Sequence, residues 1–207
     1  MVYKNFILRL FFSIIFISIY ILCLYINFEL VYYLFFFIYF LVLSEILIYF
    51  KTYKLFPLIY IFLSFLFFLM IDFNLNIFLN FNLFLITVIT FDIFSYIVGK
   101  SYGKNKLINI SPNKTIEGLL GGFIFSLLIS LMYSLFVEIK INSELVIFIT
   151  LIIFSAFLGD IIESFYKRKN QLKNSSKLIP GHGGVFDRFD SFLFSIILYS
   201  IFTNFYI

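Results

Sequence analysis

Asp160, Glu163, Ser164 and Lys167 stand at i, i+3, i+4 and i+7, and Asp187, Asp190 and Ser191 at i, i+3 and i+4. On helices, each set forms a single stripe. Asp160 sits some four to five residues inside an apolar run, roughly 7 Å at the helical rise of 1.5 Å per residue. An isolated carboxylate at that depth is unfavourable and calls for a cation, a metal or a basic side chain. If the two helices pack side by side, Asp160 and Asp187, with Asp190 close by, can meet on one hard cation. Mg²⁺ suits such a site because it takes one or two carboxylates and completes its shell with water and phosphate oxygens. The plainer readings are an Asp160–Lys167 structural pair and a set of acids favouring a helix N-terminus.

Two loops flank these stripes. Pro180-Gly181-His182-Gly183-Gly184 runs into the last helix, where exposed amides can cradle phosphate oxygens, although ordinary turns use the same residues. His182 is the only histidine, which excludes a multi-histidine metal centre and leaves a catalytic base open. Upstream, Asp92, Ser95, Tyr96 and Gly99 share a stripe. Ser111-Pro-Asn-Lys114-Thr115 with Glu117, Gly118, Gly121 and Gly122 reads as a capped helix start. Its glycines allow close helix packing or phosphate approach. Lys114 can neutralise phosphate, or can be one more lysine placed by membrane topology. Carboxylates, cations and glycine turns together point to phosphoryl or nucleotidyl transfer, where the protein supplies positioning and charge stabilisation. The substrate is not legible from those residues.

What must hold them is almost entirely apolar. Of 207 residues, 63% are hydrophobic and 13% charged, a balance that excludes an ordinary soluble domain. With ~20 residues needed per span, seven candidate helices appear at about 6–26, 29–50, 56–72, 77–99, 116–137, 144–165 and 187–206. The third is the shortest, and Asn80 and Asn82 blur the start of the fourth. The first run is too long for a signal-peptide core and is expected to remain as a transmembrane helix. Cys23, the single cysteine, lies in that run as an inert apolar residue. With seven spans, every one of the 15 Lys and Arg except Lys140 falls on one side. The positive-inside rule makes that side cytoplasmic, with the N-terminus in. The expected fold is therefore all-α and polytopic. N-terminal helices occupy 1–75, and a catalytic core occupies 76–207, with cytoplasmic loops at 100–115 and 166–186.

Several strings carry a family resemblance. Ser164-Phe-Tyr-Lys-Arg-Lys-Asn-Gln-Leu-Lys173 followed by Pro180-Gly-His-Gly-Gly-Val-Phe-Asp-Arg-Phe-Asp-Ser191 resembles the signature of phosphatidate cytidylyltransferases. Asp92-Ile-Phe-Ser-Tyr-Ile-Val-Gly-Lys-Ser-Tyr-Gly-Lys104, Ile110-Ser-Pro-Asn-Lys-Thr-Ile-Glu-Gly118 and Gly159-Asp160 with Glu163-Ser164 are similar to that family too, and the motifs keep its order over about residues 90–191. The resemblance implies CTP and phosphatidate as substrates, CDP-diacylglycerol and pyrophosphate as products, and Mg²⁺ as cofactor with K⁺ as a candidate companion. It implies an active site facing the cytoplasm at the cell membrane. It assigns the metal to Asp160, Asp187 and Asp190. Lys167, Arg168, Lys173 and Arg188 become phosphate-holding groups with His182 beside them. Substrate contacts fall to Asp92, Ser111, Lys114, Thr115, Glu117, Ser164, Gly181, Gly183 and Gly184. A homodimer is compatible with the family, and nucleic acid is not expected as a partner.

Two departures stand out. The family signature carries Asp where this chain has Asn174, which removes a charge and keeps an oxygen. Set beside the family it resembles, the chain is also expected to be shorter than most relatives, by N-terminal helices. The competing readings are a CTP-dependent enzyme acting on an isoprenoid or ether lipid, an ion transporter built on Asp92 and Asp160, and an inactive scaffold derived from the enzyme.

Overall fold

The computed structural model describes the backbone of residues 2–71, 75–108, 111–179 and 183–206. Side chains are described for residues 14–71, 79–108, 111, 114–179 and 183–203. Seven helices account for most of the described chain: α1 Val2–Ile26, α2 Glu29–Tyr49, α3 Leu55–Leu69, α4 Leu75–Tyr102, α5 Ile116–Phe136, α6 Ser143–Lys169 and α7 Phe186–Tyr206. Among the described residues, α2, Leu79–Tyr102 of α4, α5 and α6 are long and apolar enough to cross a membrane. α3 is apolar but shorter. Large apolar side chains lie exposed on the outside of these helices, such as Ile48, Leu128 and Met132. A soluble surface would not carry such a continuous apolar exterior.

The helix ends follow local chemistry. Pro57 sits in the first turn of α3, where its missing amide hydrogen costs no helical bond. Asn142 caps α6 by accepting from Leu145 N at 2.8 Å. α5 and α6 both end by donating from the third residue past the helix back to a carbonyl in its last turn: Ile139 N to Ser134 O and Leu172 N to Lys167 O, each at 2.8 Å. Glu138 (φ 60°) and Gln171 (φ 57°) take the left-handed position that glycine more often fills.

Two differences from the sequence reading lie at polar junctions. α4 and α6 continue past the apolar runs to Tyr102 and Lys169, so charged residues ride on helix rather than loop. Residues within 100–115 form a short antiparallel hairpin, β1 Lys106–Ile108 and β2 Ser111–Thr115, with Lys106 opposite Thr115 and Ile108 opposite Ser111. Strands so short leave no alternation to read, and Pro112 and Asn113 argue for a turn.

The chain packs as two units that cut across the 1–75 and 76–207 segments. One contains Met1–Phe65 with Tyr166–Phe189, and the other Leu66–Phe165 with Asp190–Ile207. In the first unit, Val31, Phe35, Val42 and Ile46 of α2 are buried, and Tyr39 Oη meets Ser64 Oγ of α3 at 2.6 Å. In the second, Tyr199 of α7 packs among Phe84 (4.8 Å), Phe81 (5.7 Å, edge-on) and Phe148 (6.0 Å). There α5 buries one stripe of small residues at every fourth position, Gly118, Gly122, Ser126, Ser130 and Ser134. Such a stripe lets two helix backbones approach closely.

Candidate active site

Within the second unit, acids from two helices converge on a hydroxyl of a third. Ser191 Oγ of α7 lies 2.9 Å from Asp92 Oδ1 of α4 and 2.8 Å from Asp160 Oδ1 of α6, while Ser191 itself is 1% exposed. A hydroxyl has one proton, so it serves the two carboxylates by turns unless one of them is protonated. The Asp190 carboxyl accepts from Ser191 N at 3.0 Å and lies within reach of the charges of Asp160, Glu163 and Asp92. Gly159 makes this possible: a Cβ there would run into the Asp190 carbonyl oxygen and sit 3.1 Å from Phe194 Cβ. The missing side chain lets α7 close onto α6 beside Asp160.

An ammonium reaches the acids. Lys114 Nζ of β2 reaches Asp160 Oδ2 at 2.5 Å and lies 5.7 Å from the Phe157 ring centre. Thr115, next to it, caps α5 by accepting from Gly118 N at 3.1 Å. Glu117 accepts from Lys104 N (3.1 Å) and from Asn105 Nδ2 (2.9 Å), which ties the segment after α4 to the start of α5. The glycines here serve packing. A Cβ on Gly118 would come 2.7 Å from the Ser95 carbonyl, and one on Gly121 would come 2.6 Å from Val98. The stripe expected on α4 divides accordingly: Asp92 turns to Ser191, Gly99 packs beside Thr115 and Gly118, and Tyr96 is exposed. Ser111 pairs with Ile108 in the hairpin.

The basic residues and the glycine turn belong to the first unit. Lys167 Nζ binds Asp187 Oδ1 at 2.6 Å, and Asp187 Oδ2 accepts from Ser175 N and Gly184 N, both at 2.9 Å. Asp187 thus gathers the end of α6, the following loop and the turn before α7. The isolated pair Ile179–Gly183 closes that turn, with Gly183 at φ +90°. Gly181 and His182 lie outside the described residues. Arg168 Nη1 caps its own helix end at Leu172 O (2.9 Å), while Lys173, Asn174 and Arg188 are exposed and Ser164 is half-buried.

Sequence reasoning placed Ser191 on the acidic face but gave it no role, and it missed Glu45. That carboxyl, fully buried on α2, accepts from Val185 N at 2.7 Å and Phe186 N at 3.1 Å through Oε2. The signal was present, since an acid in the middle of an apolar run is rarely idle.

Among the described residues, no three His, Cys, Asp or Glu side chains already stand as a metal-ligand set. A Mg²⁺ site needs fewer, because one or two carboxylates suffice when water and phosphate supply the remaining oxygens. The neighbouring carboxyls of Asp160 and Asp190, hard oxygen donors with Asp92 nearby, fit that requirement.

A model of the cytidylyltransferase family matches residues 2–206. Proteins named phosphatidate cytidylyltransferase from Staphylococcus epidermidis, Staphylococcus haemolyticus and Staphylococcus aureus are 46%, 47% and 47% identical over 113 residues. That stretch is 53% of this chain and 43% of each relative, so the chain matches less than half the length of those proteins. With nearly every residue inside the family match, the chain belongs to the cytidylyltransferase family.

Proposed function

We propose that this chain is a phosphatidate cytidylyltransferase, joining CTP and phosphatidate into CDP-diacylglycerol and pyrophosphate. The observation that carries the reading is the meeting of Asp92, Asp160 and Asp190 around Ser191, with Lys114 on Asp160. In the reaction a phosphate oxygen of phosphatidate bonds to the α-phosphorus of CTP, and the bond from that phosphorus to the bridging oxygen of the β-phosphate breaks. Pyrophosphate leaves with the electron pair. Asp160 and Asp190 would hold Mg²⁺, which offsets charge on the phosphate oxygens. Lys114 orients Asp160 and supplies positive charge beside it. Ser191 keeps Asp92 and Asp160 in register.

Lys167, Arg168, Lys173 and Arg188 are proposed to bind phosphates. Asp187, the third proposed metal ligand, is held by Lys167 and two amides, so binding a metal would require exchanging that ammonium for the ion. Substrate contacts are also proposed for Ser111, Thr115, Glu117, Ser164 and the turn Gly181–Gly184, with His182 in it. We further propose seven spans, a cytoplasmic N-terminus and an active site on the cytoplasmic face, supported by the segregation of lysines and arginines. Labelling of single cysteines placed at 104 and 140 by an impermeant reagent tests this: only the second should react from outside.

The deciding experiment is transfer of labelled CTP into lipid by purified protein in phosphatidate micelles, with Mg²⁺ or with EDTA. Metal-dependent labelling that Asp160→Asn abolishes is expected. Labelling of an isoprenoid or ether-lipid acceptor in place of phosphatidate would move the chain to another branch. No labelling of any acceptor by folded protein would favour the scaffold.

A further inference from the structure

The turn ahead of α7 is held by two carboxylates, one local and one remote. Three successive amides are divided between them: Gly184 N goes to Asp187, and Val185 N and Phe186 N go to Glu45. The first amides of a helix have no partner inside it, so a buried helix start needs such acceptors. Glu45 supplies them from α2, 140 residues earlier in the chain for the Val185 bond. Its other oxygen, Oε1, is buried without a hydrogen-bond partner among the described residues, as is Ser175 Oγ. Both oxygens close over Gly184, where any Cβ would strike them. Gly184 is therefore demanded by the Glu45 carboxyl and not by backbone conformation, since the positive φ belongs to Gly183.

The same turn sets Asp187, whose oxygens fix Lys167 Nζ and Ser175 N. A fully buried carboxylate that shares its turn with the Lys167 clamp has leverage on that ammonium. We propose that Glu45 is a positioning residue for the transfer reaction: by holding Val185 and Phe186 it places Asp187, and through Asp187 the Lys167 ammonium that meets a substrate phosphate. This rests on the reading of Lys167 as a phosphate-binding group.

The test compares the full-length chain with Glu45→Ala, Glu45→Asp and Glu45→Gln, with Ile48→Ala on the exposed side of α2 as control. Steady-state labelling from CTP is measured together with amide exchange at 175 and at 184–186. Removal of the acceptor in Glu45→Ala, or its withdrawal in Glu45→Asp, should lower kcat/KM for CTP about tenfold or more, since misplacing a substrate-positioning group by an ångström is costly. Glu45→Gln keeps a carbonyl acceptor and should regain most of the loss. Faster exchange should reach the amide of Ser175, which is bonded to Asp187 and not to Glu45. If Glu45→Ala does not fold, the Asp and Gln pair carries the same contrast.

Unchanged kinetics in both Ala and Asp variants would overturn the proposal. So would faster exchange confined to 184–186, which would make Glu45 a local stabiliser only. An inactive parent chain would instead defeat the functional reading, and the exchange at 175 would still decide whether Glu45 places Asp187.

Discussion

Lys114 and Asp160 form an ion pair in the acidic cluster, with side chains 25% and 17% exposed. A hydrogen bond to a charged group is worth about 1.5–3 kcal/mol when it is not fully solvated. Lys114→Met should therefore lower kcat/KM for CTP by roughly 10- to 100-fold, leaving the protein folded and still dependent on Mg²⁺. Asp160→Asn should be harsher, about 100-fold or more in kcat, because it removes a metal ligand and the partner of Lys114 together. The labelled-CTP assay checks both, and equal effects of the two changes would show that the ion pair acts only as a unit. The sequence made these residues legible because acids in apolar runs are conspicuous. It could not show that Asp160 finds Asp190 and Ser191 on α7, since only the packing at Gly159 decides which turn of one helix meets which turn of the other.

That crossing is where α6 and α7 can be tested as a pair. Gly159→Ala would push a methyl group into the Asp190 backbone and the Phe194 side chain, and backbone cannot yield as a flexible side chain can. The expected cost is about 1–3 kcal/mol, the usual range for overpacking, read as a lower unfolding temperature in detergent. Activity should fall further than stability, because Asp160 and Asp190 separate. The helices themselves were readable to within a few residues, because runs of about 20 apolar residues leave few alternatives. The hairpin of β1 and β2 was not, for its strands are too short to carry a pattern. Nor were the extensions of α4 and α6, since polarity alone does not tell a helix that emerges from apolar surroundings from a loop. Glu45 stands out in its apolar run as the other acids do, but its partners are backbone amides, so no sequence motif records what it holds.

Apolar residues dominate both the inside and the outside of this chain, so composition cannot separate core from lipid-facing surface; only the packing does. On α5, Leu128 is 52% exposed while Ser130 is fully buried, the reverse of a soluble helix. Leu128→Arg should cost about 2.5–3.5 kcal/mol of membrane insertion, the figure for arginine at a span centre. A membrane-insertion reporter checks this. Unimpaired insertion would mean that Leu128 faces protein or water instead of lipid. The division into two packing units was likewise beyond sequence reasoning, because each unit joins segments that are distant in the chain.

The evenly spaced serines of α5 have a consequence for how that helix is indexed against α4. Ser126 and Ser134 return their protons to their own helix, at Phe123 O and Ser130 O, while Ser130 meets Thr87 Oγ1 at 2.7 Å. Thr87 already gives its proton to Leu83 O, so Ser130 is the donor. A slide of α5 by one turn, about 5.4 Å, would offer Thr87 another serine with the same chemistry. The hydroxyl ladder therefore works like a ratchet with equal teeth, and the pawl is at the other end, where Gly118, Gly121 and Gly122 fit Ser95, Val98 and Phe91 and nothing larger could. Thr87→Val should accordingly leave helix alignment and activity almost intact, whereas Gly121→Val should let α5 slip and carry Lys114 out of step with Asp160. Crosslinking between cysteines placed on α4 and α5 would read the two alignments directly.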